Sequence, residues 1–207
     1  MTPIDDAVAA TRDGELVVFP TDTVYGIGTR PDDPAATSRL FEAKRRPADW
    51  ALPILVASVG IARTVARFDA RTERLATLWP GALTLILPRA EGIRAWALGG
   101  DPGTVGVRVP RHLLARALLE GTGPLAASSA NRSGEPPART CDELRAAFGE
   151  LVTVYLCQDE PLVGAASTVV DLTGDDARLV RVGGLDPRRI DELLAREGSL
   201  LDSPPPR

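Results

Sequence analysis

Two kinds of apolar pattern alternate along the chain, and together they predict similar numbers of helices and strands. Apolar residues recur at helical spacing over residues 4–12, 34–45, 61–67, 71–79, 113–119, 142–148 and 187–196. Short apolar runs predict strands over residues 16–19, 53–57, 83–87, 104–109, 125–128, 151–156, 168–172 and 179–182. The chain is therefore expected to adopt an α/β fold.

The order of these segments indicates what kind of sheet forms. Helices and strands intermix without a regular β–α–β repeat, and in two places strand follows strand, which favours a mixed parallel and antiparallel sheet flanked by helices. We expect a single domain over residues 1–198 and a flexible tail over residues 199–207, which contain three consecutive prolines. The glycine-rich stretch 91–103 is expected to be a mobile loop.

Composition narrows the classes of function. The 207 residues are 44% apolar and 25% charged, enough for a sizeable core, and their formal net charge is −4. This balance excludes the basic surface of a bulk nucleic-acid binder, so any contact with a polyanion must be local. The N-terminus lacks an export signal, and no apolar run reaches the roughly 18 to 20 residues that span a bilayer. No export or membrane anchoring is expected.

The two cysteines, Cys141 and Cys157, lie 16 positions apart with no Cys or His beside them. This spacing excludes a zinc knuckle and indicates no disulfide framework. We therefore expect a protein of the reducing cytoplasm.

A cluster of polar residues directly follows the first predicted strand. The segment 20–28, Pro-Thr-Asp-Thr-Val-Tyr-Gly-Ile-Gly, contains Thr21, Asp22, Thr23 and Tyr25. Chain segments that leave strand ends commonly line a ligand crevice, and glycines there permit a close backbone approach. The hydroxyls can therefore grip a small polar substrate. The alternative is a turn in which these side chains satisfy their own backbone.

Three consecutive cations end the second predicted helix, and they include Lys44, the only lysine among 24 basic residues. A cation at a helix C-terminus is favourable by about 0.3 to 1 kcal/mol without any ligand. The alternative is a phosphate site, because Lys44 offers a compact point charge and Arg46 a bidentate fork, a pairing suited to a triphosphate.

Polar residues also mark the later strands. Ser129 and Asn131 flank an alanine after an apolar strand, so they lie on the same side of an extended chain and can face one ligand, unless they belong to a plain polar loop. Arg108 and Arg181 each lie between two valines in a strand, and an arginine that looks buried needs an anionic partner or open water. Together with Lys44 and Arg46, these two arginines can bind one polyanion despite the negative net charge of the chain.

Other chemistries lack their motifs. The sequence has no phosphate-binding GxxxxGK[ST] loop, no dinucleotide fingerprint after the first strand and no His, Cys or carboxylate pairs at metal-ligand spacing. The one histidine, His112, is expected to be solvated or to cap a helix, and it is not near a serine elbow of the hydrolase type.

Three motifs, in this order and spacing, resemble the YrdC-like family of threonylcarbamoyl-adenylate synthases: the segment 20–28, Lys44-x-Arg46-Pro47, and Ser129-x-Asn131-x-Ser133-Gly134. The segments 167–171 and 179–183 look like the family's two closing segments. The resemblance implies that L-threonine, bicarbonate and ATP, with Mg²⁺ accompanying the ATP, give threonylcarbamoyl-AMP and pyrophosphate. It also implies an indirect link to tRNA, through downstream proteins that transfer the threonylcarbamoyl group to adenosine 37.

The same resemblance assigns roles to residues of this chain. Lys44 and Arg46 would hold the ATP phosphates and act in catalysis. The other ATP-binding residues would be Arg108, Ser129, Asn131 and Arg181. Threonine would be bound by Thr23, Ser167, Tyr25 and Thr21.

The chain departs from the family pattern at three places. Trp50 lies where the family has a polar residue before Pro-Leu, Ala57 and Ser58 replace a common histidine, and Val182 replaces a proline. Two alternatives therefore stay open. One is an RNA-binding module, which the negative charge and the 4% aromatic content disfavour. The other is a member of the family without this activity.

Overall fold

A computed structural model describes residues 2–194. Within these residues nine strands form one sheet, with the order β7-β1-β2-β6-β3-β5-β4-β8-β9. The strands are β1 (Val17–Phe19), β2 (Gly26–Thr29), β3 (Ile54–Leu55), β4 (Leu83–Pro88), β5 (Thr104–Arg108), β6 (Leu125–Ser129), β7 (Val154–Tyr155), β8 (Thr168–Asp171) and β9 (Arg178–Arg181).

The sheet is mixed, as the segment order predicts. The pairs β1–β7, β3–β5 and β4–β8 are parallel. The pairs β1–β2, β2–β6, β3–β6, β4–β5 and β8–β9 are antiparallel. The helices are α1 (Pro3–Arg12), α2 (Pro34–Lys44), α3 (Val59–Val65), α4 (Ala70–Leu75), α5 (Leu113–Thr122), α6 (Cys141–Phe148) and α7 (Pro187–Leu194).

Capping residues fix where the helices begin. Thr2 accepts a hydrogen bond from the Asp5 backbone N–H while the Asp5 carboxylate accepts from the Thr2 N–H, which forms a capping box at α1. Asp33 caps α2 by accepting from the Ala35 N–H at 2.8 Å. Arg45 ends α2 in the left-handed region, with φ 50°. This turn separates the directions of its neighbours, Lys44 and Arg46.

Strand alternation places two apolar clusters on opposite faces of the sheet. On β1, Val17 and Phe19 belong to the smaller cluster with helices α1 and α5, whereas Val18 belongs to the larger cluster on the other face. Helices α1 and α5 contact one another and cover one end of their face. The rest of that face holds the cavity described below.

Most predicted elements are confirmed with shifts of a few residues at their ends, but one strand is not predicted. The glycines of β2 serve close strand packing: a Cβ at Gly26 would lie 3.1 Å from the Phe19 ring, and one at Gly28 would lie 2.9 Å from the Ala126 carbonyl oxygen. Because Gly-Ile-Gly has low strand propensity, its pattern predicts a loop.

Two expectations concern less regular parts of the chain. The stretch 91–103 is irregular apart from a 3₁₀ turn at Glu91–Ile93, and Leu98 within it is buried and accepts from the Leu52 N–H at 2.7 Å. Its mobility stays a prediction. The tail 199–207 and the last two residues of the predicted helix 187–196 lie outside the described residues.

Candidate functional site

A cavity of about 320 Å³ opens on one face of the sheet. Cross-strand partners lie on the same face, so the pairs Leu55–Arg108, Ile86–Gly106 and Thr84–Val169 together form its floor. The floor is hollow because Gly106 and several other small residues there carry little or no side chain. Seven of the described strands contribute residues to the lining, so the cavity is formed by the sheet rather than by one loop.

Alternation along β5 shows how the sequence builds the floor. Val105 and Val107 are buried in the core on the other face, while Thr104, Gly106 and Arg108 face the cavity. The apolar half of the strand holds it in the sheet and leaves the alternate positions free for polar side chains.

Eight of the ten residues predicted for the site line this cavity, although they come from segments far apart in the chain. They are Thr21, Thr23, Tyr25, Arg46, Arg108, Ser129, Ser167 and Arg181. The other two, Lys44 and Asn131, do not line it and lie directly behind Ser129.

Three guanidinium groups give the cavity its charge. Burial lowers the pKa of Arg46, and the nearby positive charge of Arg181 lowers it further. Burial is also the main cause that lowers the pKa of Arg108 and of Arg181. Like charges held close together in a partly desolvated hollow favour an anionic ligand.

The Arg46 side chain is held at the cavity by hydrogen bonds to two backbone carbonyls. Its Nε donates to the Trp50 carbonyl and its Nη2 to the Ala51 carbonyl, both at 2.8 Å. The exposed Trp50 indole lies 5.6 Å from the guanidinium carbon, a cation–π contact. Trp50 is therefore a neighbour of Arg46 at the cavity rim.

Arg181, at the end of β9, also lines the cavity. Its Nε and Nη2 donate to the Ser167 carbonyl at 3.0 and 2.9 Å. The sequence makes Arg181 look buried and leaves it an anionic partner or open water; the buried appearance is not confirmed, because Arg181 and Val182 are both exposed. The reason is that β9 lies at the edge of the sheet.

Lys44 is buried, and its ammonium group binds backbone carbonyls instead of lining the cavity. Its side chain is 1% exposed, and Nζ donates to the carbonyls of Ser129 and Asn131 at 2.5 and 2.6 Å. Burial, with a smaller effect of Arg46, lowers the pKa of Lys44 to about 8. The ammonium thus joins the end of α2 to the turn after β6.

Ser129 and Asn131 lie on the same side of the chain, as their spacing predicts. The Ser129 hydroxyl donates to Asn131 Oδ1 at 2.5 Å. Asn131 Nδ2 donates to the carbonyls of Arg132 and Glu135 at 2.9 and 2.6 Å, so the amide organises this turn. Ser129 is the member of the pair that faces the cavity.

Hydroxyl groups line the side of the cavity nearest β1 and β8. Thr21, Thr23 and Ser167 are buried, and the two threonine hydroxyls are 2.9 Å apart. The Tyr25 hydroxyl accepts from the Gln158 N–H at 3.2 Å. The segment 20–28 therefore forms both a self-satisfied turn and a cavity wall, so its two interpretations are compatible.

Two features of this region were not predicted: the residue Thr84 and the partner of Asp22. Thr84 lines the cavity, and its hydroxyl lies 2.8 Å from that of Ser167. A threonine between Leu83 and Leu85, which are both buried, is the signal that points to it. Asp22 is paired with Arg108 at 2.7 Å, a contact that sequence spacing does not reveal.

The expectation of no disulfide is wrong. The fold brings Cys141, at the start of α6, to a Cα–Cα distance of 5.8 Å from Cys157, which follows β7, and the two are bonded. The sequence separation of 16 gives no hint of this, because the pairing depends on where α6 packs.

The described residues contain no cluster of the side chains that usually ligate metal ions. No group of three or more His, Cys, Asp or Glu side chains within residues 2–194 is arranged to hold one, and the cavity lining contains no carboxylate. Mg²⁺ usually binds through a few carboxylates together with substrate phosphates. The lining therefore offers Mg²⁺ no carboxylate ligand, and its association with ATP stays a prediction.

No helix within residues 2–194 is both long enough and apolar enough to cross a bilayer.

Comparison with known proteins identifies relatives of this chain. The profile of the Sua5_yciO_yrdC family, described as "Telomere recombination", matches residues 9–183. A relative named "Putative threonylcarbamoyl-AMP synthase" from Mycobacterium leprae is 45% identical over 195 residues, which cover 92% of this chain and 87% of the relative.

Two solved structures share the fold. The structure of Pyrococcus abyssi Sua5 complexed with L-threonine is 38% identical, with a TM-score of 0.84; the match covers 92% of this chain but only 57% of that longer chain. The crystal structure of Escherichia coli YciO is 27% identical, with a TM-score of 0.83 and coverage of 90% and 92%.

Proposed function

The chain belongs to the Sua5/YciO/YrdC family, and from this premise we propose that it is a threonylcarbamoyl-AMP synthase. Its reaction joins L-threonine, bicarbonate and ATP into threonylcarbamoyl-AMP and releases pyrophosphate. One observation carries the proposal: three guanidinium groups and several hydroxyls from distant segments line one cavity that has no carboxylate in its lining.

The cationic and the hydroxyl side chains of the cavity lining suit the two larger substrates. Arg46 and Arg181, whose positive charges repel each other, suit the phosphates of ATP. The hydroxyls of Thr23 and Ser167 suit the polar groups of threonine, and the P. abyssi relative has been solved with L-threonine. Site roles for Lys44 and Asn131 are supported less directly, because both act here through Ser129.

The chemistry requires no protein nucleophile. The threonine amine attacks the carbon of CO₂ and loses a proton, or attacks the carbon of bicarbonate with loss of water, and either route forms a carbamate. A carbamate oxygen then attacks the α-phosphorus, the bond from that phosphorus to the β-phosphate bridging oxygen breaks, and pyrophosphate leaves. The protein's part is to align the reactants and to balance the charge that develops on the phosphates, which arginine side chains do.

The RNA-binding alternative is not favoured by the position of the cations. Arg46, Arg108 and Arg181 line a cavity of about 320 Å³, which is of the size that small ligands occupy. The link between this protein and tRNA is proposed to be indirect, through downstream proteins that use the product.

We propose that the protein acts in the cytoplasm, where ATP and tRNA occur together. Disulfides are rare in that compartment, whereas Cys141 and Cys157 are bonded here. Trapping of free thiols in intact cells, followed by mass spectrometry of the Cys141 and Cys157 peptides, tests the location. Two trapped thiols support the cytoplasm, and a persistent bond contradicts it.

The activity is tested by measuring pyrophosphate release with each of L-threonine, bicarbonate and ATP omitted in turn. A synthase releases pyrophosphate only with all three, and mass spectrometry detects threonylcarbamoyl-AMP. Release that does not depend on threonine would overturn the proposal and would favour a member of the family with another activity.

A further inference from the structure

Arg108 is held at the cavity by three hydrogen bonds in different directions. Its Nε donates to the Gly81 carbonyl at 2.9 Å, its Nη1 to the Thr23 hydroxyl at 2.8 Å, and its Nη2 to the Asp22 carboxylate at 2.7 Å. The Arg108 side chain is 7% exposed. A guanidinium bound on three sides has a fixed plane, so its contact with Thr23 is directional.

Asp22 fixes this arrangement from two sides. The same carboxylate oxygen, Oδ1, accepts from Arg108 Nη2 and from the Arg111 backbone N–H at 2.9 Å. Arg111 lies beyond the end of β5, whereas Asp22 lies in the segment between β1 and β2. The carboxylate therefore ties the polar segment 20–28 to the strand that carries Arg108.

The donors and acceptors around Thr23 determine the direction of its hydroxyl. Thr21 Oγ1 donates to the Val24 carbonyl at 2.5 Å and so has no proton left for Thr23. Thr23 is then the donor across the 2.9 Å contact, and Thr21 Oγ1 shares its acceptor sites between this contact and two longer bonds, from the Thr23 and Val24 N–H groups at 3.2 Å. Since Arg108 occupies one of the two acceptor sites of Thr23 Oγ1, the other acceptor site remains for a ligand.

We propose that Asp22 is a positioning residue for the amino-acid substrate, acting through Arg108 on Thr23. It holds the guanidinium that keeps the Thr23 hydroxyl pointing toward Thr21, so that Thr23 Oγ1 presents an acceptor to an N–H donor, the kind of group that the amine of an amino acid offers. This inference rests on the proposed function. It assigns Asp22 no contact with substrate, and Asp22 does not line the cavity.

A plain ion pair is the alternative role. In that case loss of the carboxylate would weaken folding or the whole cavity, and the affinities for ATP and threonine would change together. The positioning role predicts a selective effect on threonine that depends on the Thr23 hydroxyl. A double-mutant cycle separates the two.

The test combines Asp22→Ala, Asp22→Asn and Thr23→Ala, singly and as double variants. L-threonine and ATP are titrated separately by calorimetry, and KM is measured for each. Asp32→Asn is the matched control, because its carboxylate pairs with Arg30 at 2.8 Å at an exposed place outside the cavity lining. We expect Asp22→Ala to weaken threonine binding at least tenfold and ATP binding less than threefold. Asp22→Asn, which keeps an acceptor oxygen, should lose about two- to fivefold, and Asp32→Asn should resemble the wild type.

In the Thr23→Ala background, either Asp22 variant should change threonine affinity less than twofold. Should Asp22→Ala not fold, the cycle of Asp22→Asn with Thr23→Ala decides by the same criterion. Equal losses for ATP and threonine, an unchanged threonine affinity, or fully additive effects of the two positions would overturn the positioning role alone. A wild-type protein that does not bind L-threonine would overturn the proposed function as well.

Discussion

The Lys44 ammonium donates to the backbone carbonyl of Ser129 across 85 positions of sequence, at 2.5 Å. Lys44 belongs to the end of α2 and Ser129 to the end of β6, so this bond fixes the position of a cavity-lining residue from outside the cavity. Lys44, which its motif assigns to phosphate binding, therefore also has a structural role.

Replacement of Lys44 should therefore affect folding. Lys44→Met removes the ammonium, so the half-buried Asn131 carbonyl loses this donor, whereas the Ser129 carbonyl keeps a bond from the Asn131 N–H at 2.9 Å. A carbonyl left unsatisfied costs about 1 to 3 kcal/mol. Urea unfolding at pH 7 should show a lower midpoint with little change in slope. An unchanged midpoint would mean that water or other groups replace the ammonium.

The same residue predicts a pH dependence of stability. The folded pKa of Lys44, about 8, lies below the ordinary lysine value of 10.5, so the unfolded chain binds more protons between these two pH values. The contribution of Lys44 to stability should rise with pH over that window, by about 1.4 kcal/mol for each unit of pKa difference. The unfolding free energy of the wild type minus that of Lys44→Met, measured from pH 7.5 to 10.5, checks the sign; a difference that falls over this range contradicts it.

Arg46 should be needed for activity but not for folding. Its guanidinium lines the cavity and its partners are exposed or half-buried carbonyls, so Arg46→Ala should abolish threonine-dependent pyrophosphate release while the melting temperature stays within a few degrees. Arg30→Ala, which removes an exposed arginine outside the lining, is the control. Wild-type activity in Arg46→Ala would indicate that the cationic cluster only ends a helix.

Trp50 should strengthen the binding of ATP through its contact with Arg46. A cation–π contact at an exposed site contributes about 0.5 to 1 kcal/mol, so Trp50→Ala should raise the KM for ATP by about two- to fivefold, and Trp50→Phe should restore most of it. The KM for threonine should change little. A larger increase in the KM for threonine than in the KM for ATP would contradict this role of the indole.

Ser167 and Thr84 should act together on threonine. Because their hydroxyls lie 2.8 Å apart at the cavity wall, Ser167→Ala and Thr84→Val should each raise the KM for threonine more than the KM for ATP. The double variant should be less impaired than the product of the two single effects. Equal effects on both substrates would place Ser167 outside the threonine side.

The disulfide should contribute to stability in oxidising solution. It closes a loop with a sequence separation of 16, for which loop entropy gives about 3 kcal/mol. Urea unfolding with and without reductant should show this loss in the wild type. The Cys141→Ser, Cys157→Ser double variant should be insensitive to reductant, and equal curves for the wild type under both conditions would contradict the prediction.

Local patterns determined a large part of this protein. The alternation of apolar residues predicts nearly all the strands and helices, because burial of one face depends on spacing alone. Spacing also brings out the motif residues: Ser129 and Asn131 share a side of the chain, and Arg46 and Arg108 line one cavity. The strand β2 escapes this reasoning, since its glycines are required by contacts with Phe19 and Ala126.

What only the tertiary structure decided are relations between distant segments. The direction of the Lys44 side chain, the pair of Asp22 with Arg108, the exposed place of Arg181 and the bond between Cys141 and Cys157 all depend on which strands are neighbours and where the sheet ends. The spacing of residues along the chain determines which face of an element a side chain occupies. Its partner is determined by how the elements pack, and the role of a polar atom depends on that partner.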